Sequence, residues 1–263
     1  MALALSAAAS TVRRDANAFT PDVESTKFQS DLLARFGVTY DEELLRRSRN
    51  IGFPELAETL LGEVPIRDPE LLVLAYALPD SSPPKTVSAH LNHLTGGRSR
   101  SFAVSDQGLR APFTALRIAA AYARSGRCAD LALFICEQST FPYPEPFVRD
   151  TVTLDSAVLL YFSGQGGYRF RETRPLPPGQ SPVPELEALA RQPNTLVVTS
   201  PRVPSGPGPN VHRSPPGTYC TSVWLELARH HAQWSERYQT VVLCDTDPRT
   251  GWSQTALLTK ESP

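Results

Sequence analysis

The stretch 101–140 constrains this chain more than any other. It reads SFAVSDQGLRAPFTALRIAAAYARSGRCADLALFICEQST and parses as strand, tight turn, helix, strand. Phe102–Ser105 alternates short apolar residues, and Ser105-Asp106-Gln107-Gly108 breaks that pattern. Pro112 suits the first turn of a helix, where its missing N–H costs nothing. From Ala111 to Ala123 apolar or small residues occupy nearly every side, so the helix is expected to be buried all round. Gly126 fits a helix stop, and Leu131–Cys136 reads as a strand covered on both faces. The prediction is an α/β protein whose central helix lies between layers and is fed by a sharp strand-to-helix elbow. Elbows of this kind lift one side chain to a helix N-terminus, where backbone N–H groups and the helix dipole stabilise a thiolate or an oxyanion. The lifted position here is Gly108, which carries no nucleophile. Asp106 beside it has two readings, an acid or base and a helix cap, and the cap is the simpler one.

Alternation of strands and helices extends along the chain. Met1–Ala7 reads as a first strand, and 28–62 as helical pieces. Leu71–Ala77 is a buried strand, followed by a loop at Ser81-Ser82-Pro83-Pro84 and a helix from Thr86 to Leu94. Thr140–Arg149 is a loop rich in proline and aromatics. The run AVLLYFSG is another covered strand, and Gly166-Gly167 is expected to turn it back into Tyr168–Glu172. The proline-rich segment RPLPPGQSPVP, Arg174–Pro184, marks a composition shift. Beyond it the order restarts in shortened form: helix, strand Thr195–Thr199, a Pro/Gly loop, helix Thr221–Trp234, strand Thr240–Cys244, turn, strand Trp252–Thr259. Two related halves, 1–170 and 171–263, follow from this pattern, although no residue-level repeat accompanies it.

Composition excludes several classes. The 263 residues are 41% hydrophobic and 20% charged with a formal charge of −1, so neither nucleic acid nor an anionic membrane is an expected partner. The basic residues Arg13 and Arg14 follow the short apolar N-terminal run instead of preceding it, the wrong order for a secretory signal. No window reaches the roughly 18 apolar residues of a membrane span. Four cysteines, Cys128, Cys136, Cys220 and Cys244, show no CxxC pairing. A reduced, cytoplasmic protein is the expectation. His90 and His93 could share a helix face, but no further ligand accompanies them, so neither a metal nor a cofactor is expected.

ELLVLAYALPD, a helix of the TVSAHLNHL type, SFAVSDQGL opening a buried helix, and ADLALFICEQS together resemble the N-terminal half of ketosynthase III-like condensing enzymes of the thiolase fold. The resemblance implies a five-layered α-β-α-β-α arrangement of two related halves, the second shortened. It places Gly108 where the family has its catalytic cysteine, Ser200-Pro201 where the histidine is found, and Thr218 in place of the asparagine. Glu137 matches the acidic residue that ends the next strand, Gly217 matches a glycine of the asparagine motif, and Gly251 is the one glycine left of the closing turn. By type, the chain is similar to the subunit lacking catalytic residues in the two-subunit enzyme that forms alkylquinolones.

Claisen condensation needs a nucleophile to hold the acyl group and donors aimed at the developing charge. With cysteine, histidine and asparagine all replaced, the resemblance implies a catalytically silent subunit in polyketide, fatty-acid or quinolone-type metabolism. It would pair with an active ketosynthase, shape that partner's acyl pocket through a loop at Pro83-Pro84, and meet acyl carrier protein or acyl-CoA only through the partner. A competing reading is a divergent acyltransferase or thioesterase with Cys220 as nucleophile just before a helix. A buried, space-filling Cys220 is the simpler alternative. His212 in its Pro/Gly loop reads as solvated, and His230 and His231 point in different directions on a helix. Phe141, Tyr143 and Phe147 are either a partner-contact loop or a lid on the core.

Overall fold

The computed structural model describes residues 3–81, 86–204 and 208–260. Pro83 and Pro84, the residues expected to face a partner, lie outside them. Five strands form the first half of the sheet: β1 (Ala4–Arg13), β2 (Leu71–Tyr76), β3 (Arg100–Val104), β4 (Leu131–Glu137) and β5 (Asp155–Ser163). The second half is β6 (Arg169–Leu176), β7 (Thr195–Thr199), β8 (Val211–Arg213), β9 (Thr240–Thr246) and β10 (Ser253–Thr259). The strand order is β3-β2-β4-β5-β1-β6-β10-β9-β7-β8. Read inward from either edge, the two sets match position by position: three parallel strands, then two antiparallel ones. They meet through the Ala4–Arg169 pair.

Strand β1 extends well beyond the expected residue 7 because it runs antiparallel to the whole of β5. The expected hairpin at Gly166-Gly167 does not form. Strand β5 is paired on both sides by β4 and β1, so the chain leaving it crosses to β10 as β6.

The period-two alternation of covered strands separates three cores. Leu71, Val73 and Ala75 of β2 and Leu131, Leu133 and Ile135 of β4 face the middle layer. Leu72, Leu74, Ala132 and Phe134 face outward. Two helices fill the middle layer, where both sets of strands converge. They are numbered after α1 (Val23–Ala34), α2 (Glu42–Arg47), α3 (Phe53–Glu63) and α4 (Val87–Leu94). The first is α5 (Ala111–Arg124); after α6 (Pro146–Thr151) and α7 (Val183–Ala190) comes the second, α8 (Ser222–Arg237). Their contact is the edge-on packing of Phe113 against Trp224, with ring centroids 4.8 Å apart. Helices α3 and α4 cover the outer face of the first set of strands, and α7 covers that of the second. The result is the expected α/β fold of five layers. Among the described residues no helix is long and apolar enough to cross a membrane.

One expectation for α5 needs correction. Arg117, Ala121 and Arg124 are exposed, so the helix is buried on most of its circumference but not all. These positions lie four and three residues apart and share one face. That face lies beside β3, which among the described residues pairs with β2 alone and forms one of the two edges of the sheet, β8 being the other.

Candidate functional site

At the elbow, β3 ends at Val104 and the chain passes through a short 3₁₀ turn, Gly108–Arg110, into α5. Asp106 and Gly108 both adopt left-handed backbone conformations, with φ of 60° and 54°. Asp106 is exposed, and α5 begins without a side-chain cap, so its predicted capping role is not seen.

Gly108 sits against two side chains from the second half of the chain. A Cβ placed on it would stand 2.5 Å from Asp247 Oδ2 and 2.6 Å from the Tyr219 hydroxyl. Both neighbours are fully buried. The Tyr219 hydroxyl is itself buried without a well-formed hydrogen bond. Burial, then the Asp247 charge, push its pKa up. Phe147 closes over the Tyr219 ring at a centroid distance of 4.8 Å, and the Arg249 guanidinium lies over Phe147. Of the two readings for the 141–147 aromatics, Phe147 fits the lid.

Ser200 and Thr218 join the same region through a single arginine, and Cys220 joins it through Glu137. Arg202 donates from Nη1 to the Thr218 carbonyl (2.8 Å) and from Nη2 to the Tyr219 carbonyl (2.9 Å). It also grips Asp245, with Nη2 2.7 Å from Oδ2 and Nε 3.2 Å from Oδ1. Ser200 donates its hydroxyl to the same carboxylate. Burial pushes the Asp245 carboxyl up, and Arg202 and Ser200 are the groups that hold its charge. For Arg202, burial works against the charge, but Asp245 outweighs it and the pKa rises. Glu137 at the end of β4 completes the network, accepting the Tyr219 N–H at 2.7 Å and the Cys220 N–H at 2.5 Å. Gly217 is held where the chain turns back: its φ is 105°, and a Cβ there would meet Thr153 Oγ1 at 2.8 Å.

Cys220 is 2% exposed, and its thiol points at the Cys136 carbonyl, 3.6 Å away. Burial, followed by the nearby Glu137 charge, pushes the thiol pKa far up. A thiolate is the nucleophilic form, and these surroundings suppress it. None of the five histidines joins this network. His90 pairs with Glu58, and His212 and His230 lie beside Glu226. His212 is therefore not a solvated loop residue: strand β8 pairs it with Val198 of β7 and directs its ring to α8.

The four sequence-derived positions thus converge on one packed and hydrogen-bonded region, where Tyr219, Cys220, Asp245 and Asp247 are buried. A cavity of about 350 Å³ lies elsewhere, lined by Leu44, Phe141, Tyr143, Val148 and Val152 among others, and none of the four positions borders it. The sequence reading missed Tyr219, Arg202, Asp245 and Asp247. The signal for the last three was the pair of aspartates at alternate positions where β9 ends, opposite an arginine two residues after Ser200; Tyr219 had none.

No family model matches this sequence, and no curated protein matches it. Solved structures do. The 3-oxoacyl-(acyl carrier protein) synthase III of Pseudomonas aeruginosa PAO1 superposes with a TM-score of 0.62 at 12% identity, over 100% of this chain and 99% of that one. Acetamide-bound OleA of Xanthomonas campestris gives 0.63 at 11% identity, over 98% and 99%. The β-ketoacyl-(acyl carrier protein) synthase III of Thermus thermophilus gives 0.61 at 14%, over 98% and 99%. The likeness is one of architecture: the chain has the thiolase-type fold of the ketosynthase III and OleA enzymes.

Proposed function

We propose that this chain is a catalytically silent ketosynthase III-like subunit, which pairs with an active condensing enzyme and shapes that enzyme's acyl pocket. The observation that carries the reading is Gly108. At the elbow that would present a nucleophile the chain has glycine, and the space a side chain would need is taken by Asp247 and Tyr219. Covalent capture of an acyl group requires a nucleophile with an adjacent base, and the surrounding network has neither. An ion pair with bridging carboxylates fills the centre instead.

Pairing is supported by the free edge at β3. An unpaired sheet edge is a template for another strand. Here it runs beside half-buried Phe102, Ile118 and Tyr122 and exposed Ala103 and Ala121, an apolar strip next to Arg117 and Arg124. A ketosynthase of the same fold that carries cysteine and histidine is the partner proposed for this edge.

Co-expression with such a ketosynthase tests the proposal. The expected product is a one-to-one assembly by native mass spectrometry, and its turnover should require both chains. Ala121→Glu should leave this chain folded and weaken the assembly. A chain that stays alone beside every such ketosynthase, or a partner whose turnover ignores it, would refute the proposal.

A further inference from the structure

Away from the closed centre, β8 and α8 hold a second group of side chains that the condensing-enzyme reading does not use. Glu226 lies on α8, and its carboxylate is 5% exposed. His212 of β8 brings Nε2 to 2.6 Å from Glu226 Oε2. His230, one helical turn beyond Glu226, brings Nε2 to 3.7 Å from the same oxygen. The donor atoms of all three residues lie within 4.8 Å of one another.

The rings are also held in place. Trp234 stacks on His230 at 5.3 Å and meets His212 edge-on at 5.2 Å, and the two imidazoles lie 5.4 Å apart. Arg229 donates to the other carboxylate oxygen, Oε1, at 3.0 Å. The helix supplies Glu226 and His230 four residues apart on one face, and the parallel pairing of β8 with β7 supplies the third ligand.

We infer that His212, Glu226 and His230 form a Zn²⁺ site. Two imidazoles and one carboxylate are a donor set that zinc takes in tetrahedral geometry at about 2.0–2.2 Å from each ligand. Ligand atoms then stand roughly 3.3 Å apart, between the 2.6 and 3.7 Å separations seen here. The fourth position opens outward, because the His212 and His230 side chains are 31% and 36% exposed. Zinc would displace any proton shared between His212 and Glu226, and Arg229 would remain on the second oxygen. The consequence is mechanical: a three-residue edge strand, β8, becomes clamped to the core helix α8. No cysteine belongs to the group.

The test uses the purified chain after chelation, titrated with ZnCl₂ by calorimetry and with CoCl₂ by absorption. The expected result is one metal ion per chain and a tetrahedral Co²⁺ spectrum without a thiolate charge-transfer band. A Tm rise of about 5–10 °C should appear at Zn²⁺ near 100 times Kd. His230→Gln, at a half-exposed position, should leave the metal-free Tm nearly unchanged and weaken zinc at least about tenfold. Arg229→Gln should tighten zinc, because it frees the carboxylate from a competing cation. No binding, binding unaffected by His230→Gln, or a thiolate band in the cobalt spectrum would each overturn the inference.

Discussion

Gly108→Ala tests the closed centre at its tightest point. The new methyl group would stand 2.5 Å from Asp247 Oδ2 and 2.6 Å from the Tyr219 hydroxyl, against about 3.5 Å for a relaxed contact. Both neighbours would have to move inside a packed interior, which costs about 1–3 kcal/mol. The φ of 54° adds about 1–2 kcal/mol for any residue with a Cβ. The expected loss of stability is therefore about 2–5 kcal/mol. Urea unfolding under reducing conditions, followed by tryptophan fluorescence, measures it. A double-mutant cycle isolates the contact. Tyr219→Phe removes the buried hydroxyl that faces Gly108, and its own cost, measured alone, is the reference for the cycle. It should also relieve about 0.5–3 kcal/mol of the Gly108→Ala penalty. A Gly108→Ala cost below about 0.5 kcal/mol, or strict additivity with Tyr219→Phe, would show that Tyr219 does not fill this position.

Other substitutions probe the rest of the network. Arg202→Met strands the buried Asp245 carboxylate and should cost about 3–5 kcal/mol by denaturant unfolding; a change under about 1 kcal/mol would contradict the pairing. Glu137→Gln points an amide N–H₂ at one of the two backbone N–H groups that the carboxylate now satisfies. A cost of about 1–3 kcal/mol in the same assay is expected, and a neutral outcome would mean those bonds are not made. Cys220 in the folded chain should resist iodoacetamide at pH 8 and react readily in urea, as read by peptide mass mapping. Rapid modification of the folded chain would place its thiol in the open.

The architecture was legible because its strongest signals are local. The Ala-rich run of α5, the covered strand β4 and the repeat of strand–helix–strand order all derive from side-chain periodicity within short windows. What was not legible depends on pairing across the chain. The turn at Gly166-Gly167 looks like a hairpin, yet β5 already has two neighbours, so β6 must go elsewhere. Gly108 could be read as a missing nucleophile, but only the fold shows that Tyr219 and Asp247, more than 100 residues away in sequence, take up its space. His212 reads as solvated in a Pro/Gly loop because nothing local reveals that a three-residue strand aims it at Glu226.

The most direct test is the intact mass of the purified chain, without a partner, after incubation with an acyl-CoA or an acyl carrier protein thioester. An interior with glycine at the elbow and Cys220 held as a buried thiol predicts an unchanged mass. An acyl adduct mapped to Cys220, formed by folded protein, would mean that the centre opens and carries a nucleophile after all.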